Sequence, residues 1–272
     1  MDLAICHYSY HRSYKAGGWD PARVCAEVSA LGVKAVDFHA RLLGDAPGVV
    51  DQAQKALADY GLVLSGLSLN TNFNYEDDSA QQQMIADTRK WMKVAAELGA
   101  PVSRIFGGSL RSRDAEIIKQ ASAKVLSALR VLAPYAEELG LILAIENHGG
   151  LPCSAEEQVE MIEAVGSPYV RATVDVGNYM QCGQEGAVGT KIAAPYAAYV
   201  HMKDFKKVPD ETKPWGWGID ACIVGQGAVD HKKCLENLQA SGFNGYVALE
   251  YEGSEDESIG VPASVEYLKS IM

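Results

Sequence analysis

Four short apolar runs in the second half of the chain end on residues able to bind a hard cation. They are Ala144-Ile145-Glu146, Thr173-Val174-Asp175, Tyr199-Val200-His201 and Ala248-Leu249-Glu250. A carboxylate removed from water is costly unless it is ion-paired or bound to a metal. Any one of these residues alone is more often an ion-pair partner or a satisfied interior histidine. Three carboxylates and an imidazole brought together from successive strands would repel one another without a cation. A divalent ion makes the same set favourable, and three oxygens with one nitrogen suit Mn²⁺, Mg²⁺ or Co²⁺ better than a thiolate-loving structural zinc.

Something must bring those four strand ends together. Strand-length apolar runs fall at 2–7, 34–39, 61–69, 102–107, 141–147, 171–176, 197–203 and 246–250, rich in Val, Ile, Leu and Ala as strands buried on both faces are. Longer stretches with helical punctuation separate them. Asp20-Pro21 opens the first with an N-cap and a proline at the first helical position. Gly61, Gly99, Gly140 and Gly242 each end a helix immediately before a strand. Eight βα units without a linker predict an α/β fold, a single-domain (β/α)₈ TIM barrel over residues 1–272. A doubly wound sheet is the alternative, but no G-x-G-x-x-G follows the first strand. Gly186-Ala187-Val188-Gly189-Thr190-Lys191 lacks the ending of a phosphate loop and reads as loop or helix. Residues 204–227, dense in Gly, Pro and Trp, read as one long loop. In such a barrel the site lies at the C-terminal ends of the strands, where the four candidate ligands fall.

Composition narrows the function. The chain has 24 Lys+Arg against 35 Asp+Glu, a formal net charge of −11, and no long basic run. That balance disfavours a phosphate-backbone binder and excludes nucleic acid as the expected partner. No stretch of about 18 apolar residues suggests a membrane span, and no signal-peptide pattern opens the sequence. The 6 cysteines form no C-x-x-C pair and read as free thiols in a reducing, cytoplasmic setting.

The motifs Ile145-Glu146-Asn147-His148-Gly149, Val174-Asp175-Val176-Gly177-Asn178, Val200-His201-Met202-Lys203-Asp204 and Leu249-Glu250-Tyr251-Glu252, with Gly225-Gln226-Gly227-Ala228-Val229-Asp230 before the last strand, resemble the xylose-isomerase-like TIM-barrel superfamily, in its sugar phosphate isomerase/epimerase branch. The resemblance spans essentially the whole chain. It implies one divalent ion, Mn²⁺ first, with Mg²⁺, Co²⁺ or Zn²⁺ as alternatives, held by Glu146, Asp175, His201 and Glu250. It further implies that Glu146 and Glu250 exchange a proton on a substrate carbon next to a carbonyl, through an enediolate stabilised by the ion. The pattern departs at Asn178, where ketose 3-epimerases carry a histidine; asparagine can hydrogen-bond a hydroxyl but bears no charge. The related endonuclease IV group builds a three-zinc cluster from many histidines, and the 6 histidines here do not supply one.

The expected activity is therefore isomerisation or epimerisation of a small-molecule keto sugar or related polyol. A lyase of the inosose-dehydratase or 3-keto-glycoside-cleaving type would use the same metal site and a further general acid, for which His148 or Lys203 are candidates. A non-catalytic sugar-binding protein is a third reading. Besides the ligands, the candidate substrate contacts are His7, His148, Asn178, Lys203, Arg104 and Trp215. Lys203 could instead pair with Asp175, Glu250 or Asp204. His231 reads as capping or surface. A homo-oligomer is compatible with the sequence.

Overall fold

The computed structural model describes residues 1–272. Eight parallel strands close a barrel: β1 (Asp2–Cys6), β2 (Ala35–His39), β3 (Val63–Ser68), β4 (Val102–Phe106), β5 (Ile142–Glu146), β6 (Val170–Asp175), β7 (Ala197–Met202) and, after a hairpin, β10 (Tyr246–Leu249). Each strand pairs with its neighbours in chain order, and β1 closes the ring between β10 and β2. Helices cover the outside, as the βα repeat requires. In Pro21–Ala30 the Asp20 side chain accepts a hydrogen bond from the Arg23 N–H at 2.8 Å, and Val24, Cys25 and Val28 form the buried stripe. The helix Ala115–Leu139 ends at Gly140, whose left-handed backbone (φ 63°) turns the chain directly into β5.

Two departures from the sequence expectations concern residues 186–231. The long loop contains an antiparallel hairpin, β8 (Phe205–Pro209) with β9 (Trp217–Ala221), outside the barrel. Gly186–Ala193 is helical, one of the two states its sequence allows. His231 is not at the surface: it is fully buried in the first turn of the helix His231–Ala240, with Nε2 3.2 Å from the Lys203 carbonyl. Asp230, not His231, caps that helix, accepting from the Lys233 N–H.

The barrel interior is built in steps of two residues, the period at which strand side chains return to one face. Ala4, Ala35, Val102, Ala144, Tyr199 and Ala248 pack as a small apolar floor, separate from the larger core between strands and helices. Two residues on along each of those strands stand Cys6, Asp37, Arg104, Glu146, His201 and Glu250, all buried. Two residues further again, Tyr8, His39, Phe106, His148 and Glu252 line a chamber at the C-terminal mouth, with Arg41 and Asn70. The apolar floor thus carries a charged layer, and the charged layer carries the chamber. No helix is long and apolar enough to cross a membrane.

Candidate metal centre

Glu146, Asp175, His201 and Glu250 lie in the charged layer with ligand atoms within 4.8 Å of one another, every one of them buried. Each carboxylate commits one oxygen to a hydrogen bond with the protein and leaves the other without one, while His201 hydrogen-bonds through neither ring nitrogen. Glu146 Oε1 accepts from Asn178 Nδ2 at 2.9 Å. Asp175 Oδ1 accepts from the Gly177 and Asn178 backbone N–H groups, both at 2.9 Å. His201 Nε2 faces Asp37 Oδ2 at 3.5 Å, so that Nδ1 points to Glu146 and Glu250 at 3.6 and 3.4 Å. Glu250 Oε1 takes the Cys6 thiol at 3.9 Å. The remaining atoms, Glu146 Oε2, Asp175 Oδ2, His201 Nδ1 and Glu250 Oε2, are buried without a hydrogen-bond partner. Four buried donors of the O₃N type converge in one layer, their carboxylate oxygens facing the Arg104 and Lys203 charges, a set that suits a divalent cation.

The charge balance agrees. Five carboxylates, those of Glu146, Asp175, Glu250, Asp37 and Glu252, meet only two permanent cations, Arg104 and Lys203. Arg104 Nε lies 2.9 Å from Glu146 Oε2 and its Nη2 3.8 Å from Glu250 Oε1. Lys203 Nζ lies 2.8 Å from Glu250, 3.3 Å from Asp175 and 3.5 Å from Glu252. Even with His201 protonated as a third cation, five carboxylates outnumber the positive charges, so an excess of negative charge remains for an ion to offset.

The environments of the two glutamates differ. Burial pushes Glu146 up to about 7, against the pull of Arg104 and His201. Burial acts on Glu250 in the same sense, but Lys203, His201 and Arg104 outweigh it and hold that carboxyl well below its usual range. Burial opposes the charge on His201, yet Glu250, Glu146 and Asp37 bring it up to about 10. The two carboxyls are thus driven apart, one toward the protonated and one toward the ionised form, as in sites that divide acid and base roles.

The sequence-derived candidates separate into three groups. Arg104, His148 and Glu250 line the chamber, which has a volume of about 180 Å³. Asn178 and Lys203 lie in the buried layer and bind its carboxylates; Lys203 pairs with Asp175, Glu250 and Glu252. Asp204 takes a different role from the ion pair considered above, accepting from the backbone N–H groups of Phe205, Gly225, Gly227 and Val229 to shape the loop after β7. His7 and Trp215 are not among the chamber walls. His7 is fully buried edge-on to Tyr14 and Phe38, and Trp215 packs over Gly183 beside Trp217. Crowding around the His148 ring, with the Lys203 and Arg104 charges, lowers its pKa. Its ring opens to the chamber, so the two cations are the surer cause.

Residues that the sequence did not single out complete the site. Asp37 supports His201 and is itself held by the Ser68 hydroxyl at 2.7 Å. Asn70, Phe106 and Glu252 form chamber walls. Their signal was present in the numbering, since each stands two residues beyond a residue of the charged layer or of β3.

Comparison with known proteins places this geometry in a family. A family model described as xylose isomerase-like TIM barrel matches residues 25–271. The L-ribulose-5-phosphate 3-epimerase UlaE of Escherichia coli (strain K12) is 21% identical over 224 residues, 80% of this chain and 75% of that protein. A xylose isomerase-like TIM barrel protein from Mycobacterium smegmatis, solved in complex with magnesium, superposes with a TM-score of 0.78 at 19% identity, covering 99% of this chain and 96% of its own. D-psicose 3-epimerase from Clostridium cellulolyticum H10, solved with D-tagatose, superposes with a TM-score of 0.79 at 15% identity, covering 100% and 99%. With nearly the whole barrel matched, the chain belongs to the xylose isomerase-like TIM barrel family.

Proposed function

We propose that the protein is a divalent-metal-dependent isomerase or epimerase of a keto sugar or related polyol, with Glu146, Asp175, His201 and Glu250 as ligands and Mn²⁺ as the expected ion. The observation that carries this reading is the convergence of four buried donor groups of the O₃N type beneath a polar chamber. The magnesium in the Mycobacterium smegmatis relative and the activities named for the two epimerases support it. It takes a small-molecule sugar as partner, needs no nucleic acid or membrane, and suits a cytoplasmic enzyme of carbohydrate metabolism.

When bound, the ion would supply positive charge beside the reacting carbonyl, where negative charge develops as the neighbouring proton leaves. The rest is done by the chain. Glu250, ionised and lining the chamber, removes the proton from the carbon next to the carbonyl. Glu146 returns a proton, and Asn178 fixes the orientation of its carboxyl. Arg104 holds both glutamates, and Lys203 keeps Glu250 charged. Tyr8, His39, Asn70 and His148 offer hydrogen bonds to sugar hydroxyls.

Elimination is less well served than proton exchange. His148 is disposed to be neutral, and Lys203 is locked among three carboxylates, so neither stands ready as the acid for a leaving group. The test is incubation of the Mn²⁺-supplied protein with keto sugars in D₂O, followed by NMR. Deuterium should enter at the carbon next to the carbonyl without loss of water, and Glu250→Gln, which keeps a ligand oxygen, should abolish it. Loss of water or of an aglycone would replace this proposal by the lyase; no exchange with any keto sugar would end it.

A further inference from the structure

The chamber over the metal centre does not stand alone but shares walls with a neighbouring cleft. Its volume of about 180 Å³ is room for one sugar ring. Adjoining it is a cleft of about 440 Å³ formed by the loops after β3, β4 and β5, and the two share Asn70, Phe106 and His148 as common walls. We propose that this cleft is a subsite for a second, uncharged unit attached to the reacting sugar, so that the substrate is a glycoside of a keto sugar rather than the free monosaccharide. This rests on the keto-sugar activity proposed above.

The shared wall has the chemistry for it. The Phe106 ring is covered by the Arg104 guanidinium at 4.1 Å from its centroid and by the His148 ring at 4.1 Å. Those two contacts hold Phe106 at the boundary between chamber and cleft. Beyond it the cleft offers the half-buried Tyr75 ring and Leu110 for the C–H faces of a second ring, with amide and hydroxyl groups for its oxygens. Arg111, exposed and without an ion-pair partner, is the only Lys, Arg, Asp or Glu among the cleft walls. A phosphate would therefore find no buried cation there. A second neighbouring cleft, which shares Arg41 and Asn70 with the chamber, is walled by Arg41, Asp45, Asp87 and Lys90 and is charged, with Lys90 paired to Asp45 at 2.7 Å.

Gln181 ties the cleft to the centre. It is a cleft wall, and its Nε2 donates to Asn178 Oδ1 at 2.7 Å; Asn178 in turn donates to Glu146 Oε1 at 2.9 Å. The Gln181 amide lies against Gly149, where a Cβ would collide with it and where the backbone is left-handed (φ +60°), so only glycine leaves that seat open. A unit bound in the cleft would touch Gln181 one hydrogen bond away from the residue that orients Glu146. Gln181 is thus a positioning residue, and the second unit assists the chemistry as well as the binding.

Calorimetric titration of the Mn²⁺-supplied protein with a free keto-hexose and with its hexosyl glycoside tests the subsite, with deuterium exchange followed on the same samples. The glycoside should bind at least about tenfold more tightly. Leu110→Trp, which fills the cleft, and Tyr75→Ala, which removes its ring, should each erase most of that advantage. Equal affinities, an advantage that survives both variants, or tighter binding of a phosphorylated keto sugar than of the glycoside would overturn the subsite. A glycoside advantage without deuterium exchange would keep the subsite and defeat the isomerase reading; exchange without the advantage would do the reverse.

Discussion

The clustered ligand candidates each turn one group to a shared centre, where Arg104 and Lys203 face the carboxylate oxygens. The four residues that do so were legible in the sequence because each interrupts an apolar run at a strand end, where a charged group has no cheap explanation. Asp37 was not, because it lies inside β2 with His39 at the strand end drawing attention away from it. Its role is nonetheless specific: Ser68 holds Asp37, and Asp37 faces the His201 nitrogen that points away from the carboxylates. Outer partners of this type set the tautomer and the orientation of a ligating histidine. Asp37→Asn should therefore weaken Mn²⁺ binding about 10–100-fold while far-UV circular dichroism stays that of the wild type. Unchanged affinity would mean that His201 is positioned by its strand alone. Asn178 likewise matters for what it holds. In place of a charged substrate contact it presents a neutral amide to Glu146, Lys203 and Gln181.

At the scale of elements, the period of two along each strand converts a floor of small residues into a site. Ala4, Ala35, Ala144 and Ala248 leave headroom for the charged layer directly above them. Ala144→Leu should overpack that floor, costing about 1–3 kcal/mol in urea unfolding and tilting Glu146 two residues later, so exchange activity should fall more than stability alone accounts for. A variant of full stability and activity would show that the floor has slack. The eight barrel strands were legible because apolar runs and helix-ending glycines mark both ends of each βα unit. The hairpin β8–β9 was not: Pro209, Pro214 and the surrounding glycines carry a loop signature, and its strands are only partly buried, so no apolar run announces them. His231 was misjudged for a related reason. Next to a cap residue it has the pattern of a surface helix start, and only the tertiary packing of that helix under Lys203 buries it.

For the whole molecule, the net charge of −11 acquires a structure, with an uncompensated acidic cluster at the barrel centre. Two other buried groups link the fold to pH. Burial drives His7 down to about 3, and burial with the Arg104 charge drives His39 well below its usual value. Both are neutral when folded and free to protonate when unfolded. Their contribution to stability is complete above the unfolded value of about 6.5 and is lost as pH falls toward their folded values, at about 1.4 kcal/mol per pH unit for each. Urea midpoints between about pH 6.5 and about 3 should fall less steeply for His7→Phe than for the wild type. Parallel curves would show that His7 is not held neutral. The claim on which everything functional depends is that Glu146, Asp175, His201 and Glu250 hold one divalent ion, and equilibrium dialysis against Mn²⁺ tests it most directly. One ion should bind per chain, and Asp175→Asn and His201→Ala should each weaken it by about 100-fold or more, roughly 2.7 kcal/mol. No saturable binding to the wild type, or binding that both variants leave intact, would contradict the assignment.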